Sequence, residues 1–93
     1  MSDSPPMDSM PKITFSTFIL SMASSTLVPL GEVDNPSTGK KTPDKAMAKS
    51  SIDMLTMLKE KTQGNLTDEE QKMFDNLLFE LRMKYVQIFG DKN

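Results

Sequence analysis

The chain has 93 residues, a net charge of −2 and a hydrophobic content of 37%, and it contains neither cysteine nor histidine. This length allows one small domain, and the low hydrophobic content gives it a small core that self-association would help to stabilise. Without imidazole or thiolate, the usual zinc and transition-metal sites and most general-base and covalent-catalysis arrangements are excluded. We therefore expect no enzymatic activity, no catalytic residue, no metal and no cofactor.

The N-terminal residues are rich in Ser, Pro, Asp and Met, and prolines at positions 5, 6 and 11 interrupt any helix. This composition is typical of a disordered tail. We predict a tail over residues 1–12, a single helical domain over residues 13–89 and a disordered end over residues 90–93.

The first predicted helix covers about residues 14–28, within a segment that contains no charged residue. Pro29 lacks an amide hydrogen and disfavours a helical conformation at Val28, so we place the end of the helix there. The residues predicted to face the core are Phe15, Phe18, Ile19, Met22, Thr26 and Leu30. The opposite side has a ridge of small hydroxyl residues, where another backbone can approach closely; these candidate interface residues are Thr17, Ser21 and Ser24.

Three membrane-related alternatives exist for this segment. A transmembrane span needs about 20 predominantly apolar residues, and seven Ser or Thr residues between positions 13 and 31 argue against it. A signal peptide is disfavoured because Asp3 and Asp8 stand where positive charge is expected. A helix lying on a membrane surface usually has Lys or Arg on its polar face, and this one has none. We retain it as the alternative to a helix buried in the core or facing another subunit.

Residues 31–41 have the composition of a loop, with Asn-Pro and Ser-Thr-Gly turn signals. A phosphate-binding loop is excluded because Asp34 occupies the position of its first glycine and Lys41 that of its serine or threonine. The nearby lysines form a basic patch, which we interpret as a solvated face: Lys40, Lys41, Lys45 and Lys49.

A second helix is predicted over about residues 43–62. Thr42 is the predicted N-cap, and Pro43 would occupy the first helical position, where a missing amide hydrogen has no partner to lose. The apolar residues form one broad arc, which predicts packing against two neighbouring helices. They are Met47, Ala48, Ile52, Met54, Leu55 and Leu58, and Ser51 lies on the same arc.

Residues 61–70 predict a tight corner between the second and third helices. Gly64 suits the left-handed conformation that ends a helix. Thr67 and Glu70 have the spacing of a capping box, which begins a third helix over about residues 68–89. Helices two and three are therefore predicted to form an αα-hairpin, with a wider-angled helix-turn-helix as the alternative. The acidic first turn of the third helix would repel phosphates, so we expect no nucleic-acid binding at this corner.

The third helix has two apolar faces. The predicted core stripe consists of Phe74, Leu77, Leu78, Leu81, Tyr85 and Ile88. Phe79, Met83 and Val86 lie nearly opposite, where a monomer of three helices would leave them in water. Exposed apolar patches usually mark an interface, so these three residues are candidate interface residues.

Three blocks of sequence resemble a bacterial family that is a domain of unknown function, number eighteen-forty-four, over roughly residues 13–86. The blocks are residues 15–20 with the glycines and lysines of 31–41, residues 52–62, and residues 64–86, in which the corner and the Leu-Arg-Met-Lys-Tyr segment are the most specific. The resemblance implies a small, helical protein of the bacterial cytoplasm. It implies no established activity and no catalytic residues.

The sequence thus predicts an all-α fold of three helices. It favours a self-associating module that forms a homo-oligomer, binds an unidentified protein partner and has no catalytic chemistry. The alternative is a membrane-surface adaptor that uses the segment from Ile13 to Leu30.

Overall fold

The computed structural model describes residues 12–90, and this part of the chain folds into three helices. They are α1 (Phe15–Leu30), α2 (Lys45–Lys61) and α3 (Asp68–Phe89), and each packs against the other two. The predicted all-α fold is therefore confirmed. The terminal segments 1–11 and 91–93, which we predict to be disordered, lie outside the described residues. No helix within residues 12–90 is long and apolar enough to cross a membrane.

The core lies where the three helices meet, and all three helices contribute buried apolar side chains. They are Ile19, Ala23 and Leu30 of α1, Ala48, Ile52 and Leu55 of α2, and Phe74, Leu78 and Leu81 of α3. The Phe15 ring lies 5.8 Å from that of Phe74, and Leu27 shares a cleft with Lys84. Helix α1 therefore runs parallel to α3, and the hairpin partner α2 runs antiparallel to both.

Helix α1 ends later than predicted, because Pro29 lies inside it and Leu30 is its last residue. A proline in the last turn removes only one hydrogen bond of the helical ladder, and its buried ring adds to the core. Gly31, with φ of 80°, then closes the helix in a Schellman motif. Its amide donates to the carbonyl of Val28, and the amide of Glu32 donates to that of Leu27.

Helix α2 begins later than predicted, because Asp44 and not Thr42 is its N-cap. The Asp44 carboxylate accepts a hydrogen bond from the Met47 amide at 3.1 Å. The Thr42 hydroxyl instead accepts from the side-chain amide of Asn35, also at 3.1 Å. The start of the helix is fixed by a contact distant in sequence, since the Asp44 amide donates to the carbonyl of Pro29 at 2.8 Å.

The predicted corner and the start of α3 are confirmed. The Thr67 hydroxyl accepts from the Glu70 amide at 3.1 Å, and the Glu70 carboxylate accepts from the Thr67 amide at 2.9 Å. Gly64 has φ of 89°. The three acidic residues of the first turn face the positive end of the helix dipole.

Four residues assigned to the core faces are exposed: Phe18, Met47, Met54 and Ile88. Ile88 shows why, because Phe89, one residue further along α3, is half-buried and packs against the core. Successive residues of a helix point about 100° apart. Apolar spacing identified the correct side of each helix, but the rotation of the helix against its neighbours decides which residues on that side are covered.

Candidate interaction surface

The outer face of α3 has a row of exposed apolar side chains. Phe79, Met83 and Val86 are 64%, 44% and 42% exposed. Their spacings of four and three residues place them along one line of the helix, away from buried Phe74 and Leu78. We call these three residues the outer row. The structure places all three in the exposed positions that the sequence predicts.

The outer row adjoins an apolar groove between α2 and α3. This groove has a volume of about 310 Å³ and is lined by Lys49, Ile52, Asp53, Arg82, Tyr85 and Val86. Tyr85 is half-buried, and its ring lies 5.2 Å from the ring of Phe89. Val86 therefore belongs to both the outer row and the groove, so the two apolar surfaces are continuous.

Within residues 12–90, the rim of the apolar groove has one ion pair, Lys49–Asp53, and one cation without a carboxylate partner, Arg82. Lys49 Nζ lies 2.8 Å from Asp53 Oδ2, and this hydrogen bond together with the charge of Asp53 raises the pKa of Lys49. Arg82 donates from Nη2 to the hydroxyl of Thr56 at 2.7 Å. Among residues 12–90, no carboxylate lies within 4.0 Å of the Arg82 guanidinium.

A second, polar hollow lies on the other side of Arg82, toward the corner. It has a volume of about 280 Å³ and is lined by Thr56, Lys59, Glu60, Gln63, Gln71 and Arg82. Lys59 binds Asp75 at 2.6 Å, and Gln71 donates to the same carboxylate at 3.2 Å. The hydrogen bond from Lys59 and the weaker one from Gln71 lower the pKa of Asp75.

The hydroxyl ridge of α1, which consists of Thr17, Ser21 and Ser24, is exposed as predicted, but the three side chains have different surroundings. The Thr17 hydroxyl is part of the N-terminal capping box of α1 and accepts from the Thr14 amide at 2.9 Å. Ser24 lines a cleft between α1 and α3, and Ser21 is simply exposed. Since the outer row borders the α2 side of α3, the structure does not bring the two predicted sets of interface residues together.

The model of the DUF1844 family, a domain of unknown function, matches residues 12–87. The chain belongs to this family. The match includes all of α1 and α2, the outer row and both hollows beside Arg82. No curated protein and no solved structure gives a significant match. DUF1844 membership therefore supports the domain as a whole and assigns no activity to it.

Sequence reasoning missed the position of Arg82 between the two hollows of this DUF1844 chain. Arg82 is the one arginine in the sequence, and it lies three residues after Phe79 and four before Val86, which places it beside the outer row. That spacing was a usable signal. The groove itself was not predictable, because it depends on how closely α2 approaches α3 at Ile52 and Tyr85.

Proposed function

We propose that this chain is a small self-associating helical module of the cytoplasm that binds a protein partner and has no catalytic chemistry. The observation that supports this function best is the outer row and its continuity with the apolar groove through Val86. Contiguous apolar surface of this kind usually marks a protein interface.

The exposed area of the outer row suits weak association. Complete burial of one such side chain gains about 1.5–3 kcal/mol, and these three are roughly half exposed. Covering the row therefore gains on the order of 2–5 kcal/mol, against a cost of about 4 kcal/mol or more for bringing two molecules together. Self-association covers the row of both copies and doubles this gain to about 4–10 kcal/mol, which leaves a surplus of at most about 6 kcal/mol. We therefore expect self-association at concentrations on the order of tens of micromolar or above.

A pair of matched substitutions tests the role of the outer row. Met83→Asp places a charge in the row and is expected to shift the assembly to the monomer, because an unpaired carboxylate resists burial. Met57→Asp is the control, since Met57 is equally exposed, at 45% against 44%, but lies on α2. Light scattering over a range of concentrations measures the mass. A strict monomer for the unsubstituted chain, or equal effects of both substitutions, contradicts the proposal.

The absence of catalytic chemistry is supported by the titrating groups. Catalytic acids and bases usually have pKa values shifted by burial in a pocket. The shifted pKa values of Lys49 and Asp75 arise instead from exposed ion pairs with Asp53 and Lys59. Within residues 12–90, no group of His, Cys, Asp or Glu side chains has an arrangement that would hold a metal ion.

The second candidate function is a membrane-surface adaptor that uses the segment from Ile13 to Leu30. It is favoured by the exposure of Ile13, at 91%, and of Phe18 and Leu20. However, residues 18 and 20 are two positions apart and therefore point to different sides of the helix, so one membrane surface does not cover both. Co-sedimentation with anionic vesicles decides between the two functions, and loss of binding in Phe18→Asp would support the adaptor.

A further inference from the structure

Arg82 separates two hollows of different chemistry along the outer side of the α2–α3 pair. On one side lies the apolar groove, whose wall includes Ile52, Tyr85 and Val86. On the other side lies the polar hollow, lined by amide and hydroxyl groups and by Lys59 and Glu60. A ligand that reaches from one hollow to the other must pass the guanidinium.

The guanidinium has unused binding capacity. Arginine has five N–H donors arranged to match a carboxylate, and the Thr56 hydroxyl takes one of them at 2.7 Å. The neighbouring cations differ, because Lys49 has Asp53 at 2.8 Å and Lys59 has Asp75 at 2.6 Å. The bond to Thr56 holds Arg82 in place without neutralising its charge.

We infer that the α2–α3 groove binds a peptide segment of a partner protein in which an acidic side chain stands next to a bulky apolar one. The carboxylate accepts hydrogen bonds from Arg82, and the apolar side chain covers Ile52, Tyr85 and Val86. This inference rests on the proposed role in protein binding and names the chemistry of the partner.

The charges around the groove favour a single carboxylate over a polyanion. Asp53 lies on the rim of the apolar groove and Glu60 on the wall of the polar hollow, and the lysines that line the same hollows, Lys49 and Lys59, are already paired with Asp53 and Asp75. Successive phosphates of a nucleic acid would meet both carboxylates, whereas one acidic side chain at Arg82 need meet neither. The groove volume of about 310 Å³ is at the lower end of the range for ligand pockets, and suits a side chain or two.

Two dipeptides that differ in one group test the inference by NMR titration of the isotopically labelled full chain. The probes are acetyl-Asp-Phe-amide and acetyl-Asn-Phe-amide. We expect both to shift the amide resonances of Ile52, Arg82 and Val86, and the Asp probe to bind about threefold more tightly, as an exposed charge pair allows. Absence of shifts at these residues, or equal affinity for the two probes, overturns the inference.

Two substitutions assign the preference to Arg82. Arg82→Gln is expected to abolish the difference between the probes, whereas Lys72→Gln removes the same charge from an α3 residue that lines neither hollow and is expected to keep it. Unchanged circular dichroism confirms that Arg82→Gln remains folded. If Arg82→Gln still prefers the Asp probe, the inference is contradicted. It is also contradicted if inorganic phosphate shifts the amide resonances of Ile52, Arg82 and Val86 as much as the Asp probe does.

NMR titration of Met83→Asp and light scattering of Arg82→Gln separate this inference from the proposed self-association. If Met83→Asp is monomeric and still prefers the Asp probe, the groove acts independently of the assembly, as we expect. If the chain assembles but binds neither probe, the inference alone fails. If Arg82→Gln lowers the mass measured by light scattering, a second copy of this chain occupies the groove and the partner peptide is rejected.

Discussion

The two connections between the helices are held by different kinds of contact, local in one and distant in sequence in the other. The link between α1 and α2 covers residues 31–44, and the corner between α2 and α3 covers residues 62–67. In the corner, the hydrogen bonds join residues two to four positions apart, as in the bond from the Asn65 amide to the Thr62 carbonyl. In the link, contacts distant in sequence hold the chain. Local rules therefore predict the corner, whereas the link depends on how the folded helices meet.

The link has three long-range attachments. The Asp44 amide donates to the carbonyl of Pro29, and Lys84 of α3 pairs with Glu32 at 3.2 Å. The third is a close approach of Pro43 to Gly31, where an added Cβ would lie 2.7 Å from Pro43 Cγ. Inside the link, the Asn35 amide donates to the Lys40 carbonyl, and its side chain binds Thr42.

The largest effect on stability is expected from a pair of glycine substitutions, one in the corner and one in the link. Gly64→Ala introduces only the strain of a left-handed backbone, about 1–2 kcal/mol, because nothing lies within 4 Å of its added Cβ. Gly31→Ala has the same strain plus the clash with Pro43, which adds about 1–3 kcal/mol. Urea unfolding at one protein concentration measures both. Equal losses of stability in the two variants would show that the link accommodates the added methyl group of Gly31→Ala at no cost in free energy.

A double substitution then tests the contact itself. Pro43→Ala removes the Cγ atom that lies 2.7 Å from the added Cβ, so it is expected to recover about 1 kcal/mol of the stability lost in Gly31→Ala. When Pro43→Ala is combined with Gly64→Ala, the two changes in the free energy of unfolding should simply add. A double-mutant cycle from urea unfolding gives the coupling energy, and a coupling near zero would assign the whole effect of Gly31→Ala to backbone strain.

The sequence predicted the features that depend on local contacts and missed those that depend on contacts distant in sequence. The capping box at Thr67 was predictable because both partners lie within one helical turn. The cap at Asp44 was missed although Asp is the better capping residue, because Pro43 suits the first helical position after Thr42 and the bond from the Asp44 amide to the Pro29 carbonyl joins residues distant in sequence. For the candidate surface, spacing along α3 predicted the exposed outer row, whereas Arg82 gains its place from the Thr56 hydroxyl 26 residues away.

The choice of N-cap for α2 provides a test of intermediate size. Asp44→Ala is expected to cost about 1 kcal/mol, the usual value for loss of a capping side chain. Thr42→Ala removes one partly buried hydrogen bond from Asn35 and is expected to cost about 0.5 kcal/mol. Thermal and urea unfolding of both variants measure these values, with Thr67→Ala as the reference for a true cap. The opposite order would restore Thr42 as the cap.

The smallest effect is expected from the ion pair beside the corner. Lys59 and Gln71 lower the pKa of Asp75 in the folded state below its ordinary value of 3.8. A lowered folded pKa contributes stability that is fully present above the unfolded value and is lost as the pH falls below it toward the folded value. Asp75→Asn should therefore reduce stability slightly near neutral pH and flatten the loss of stability in acid. Urea midpoints between about pH 6 and about pH 3 measure this, and parallel curves for the two proteins would show that the pair contributes nothing, as many exposed pairs do.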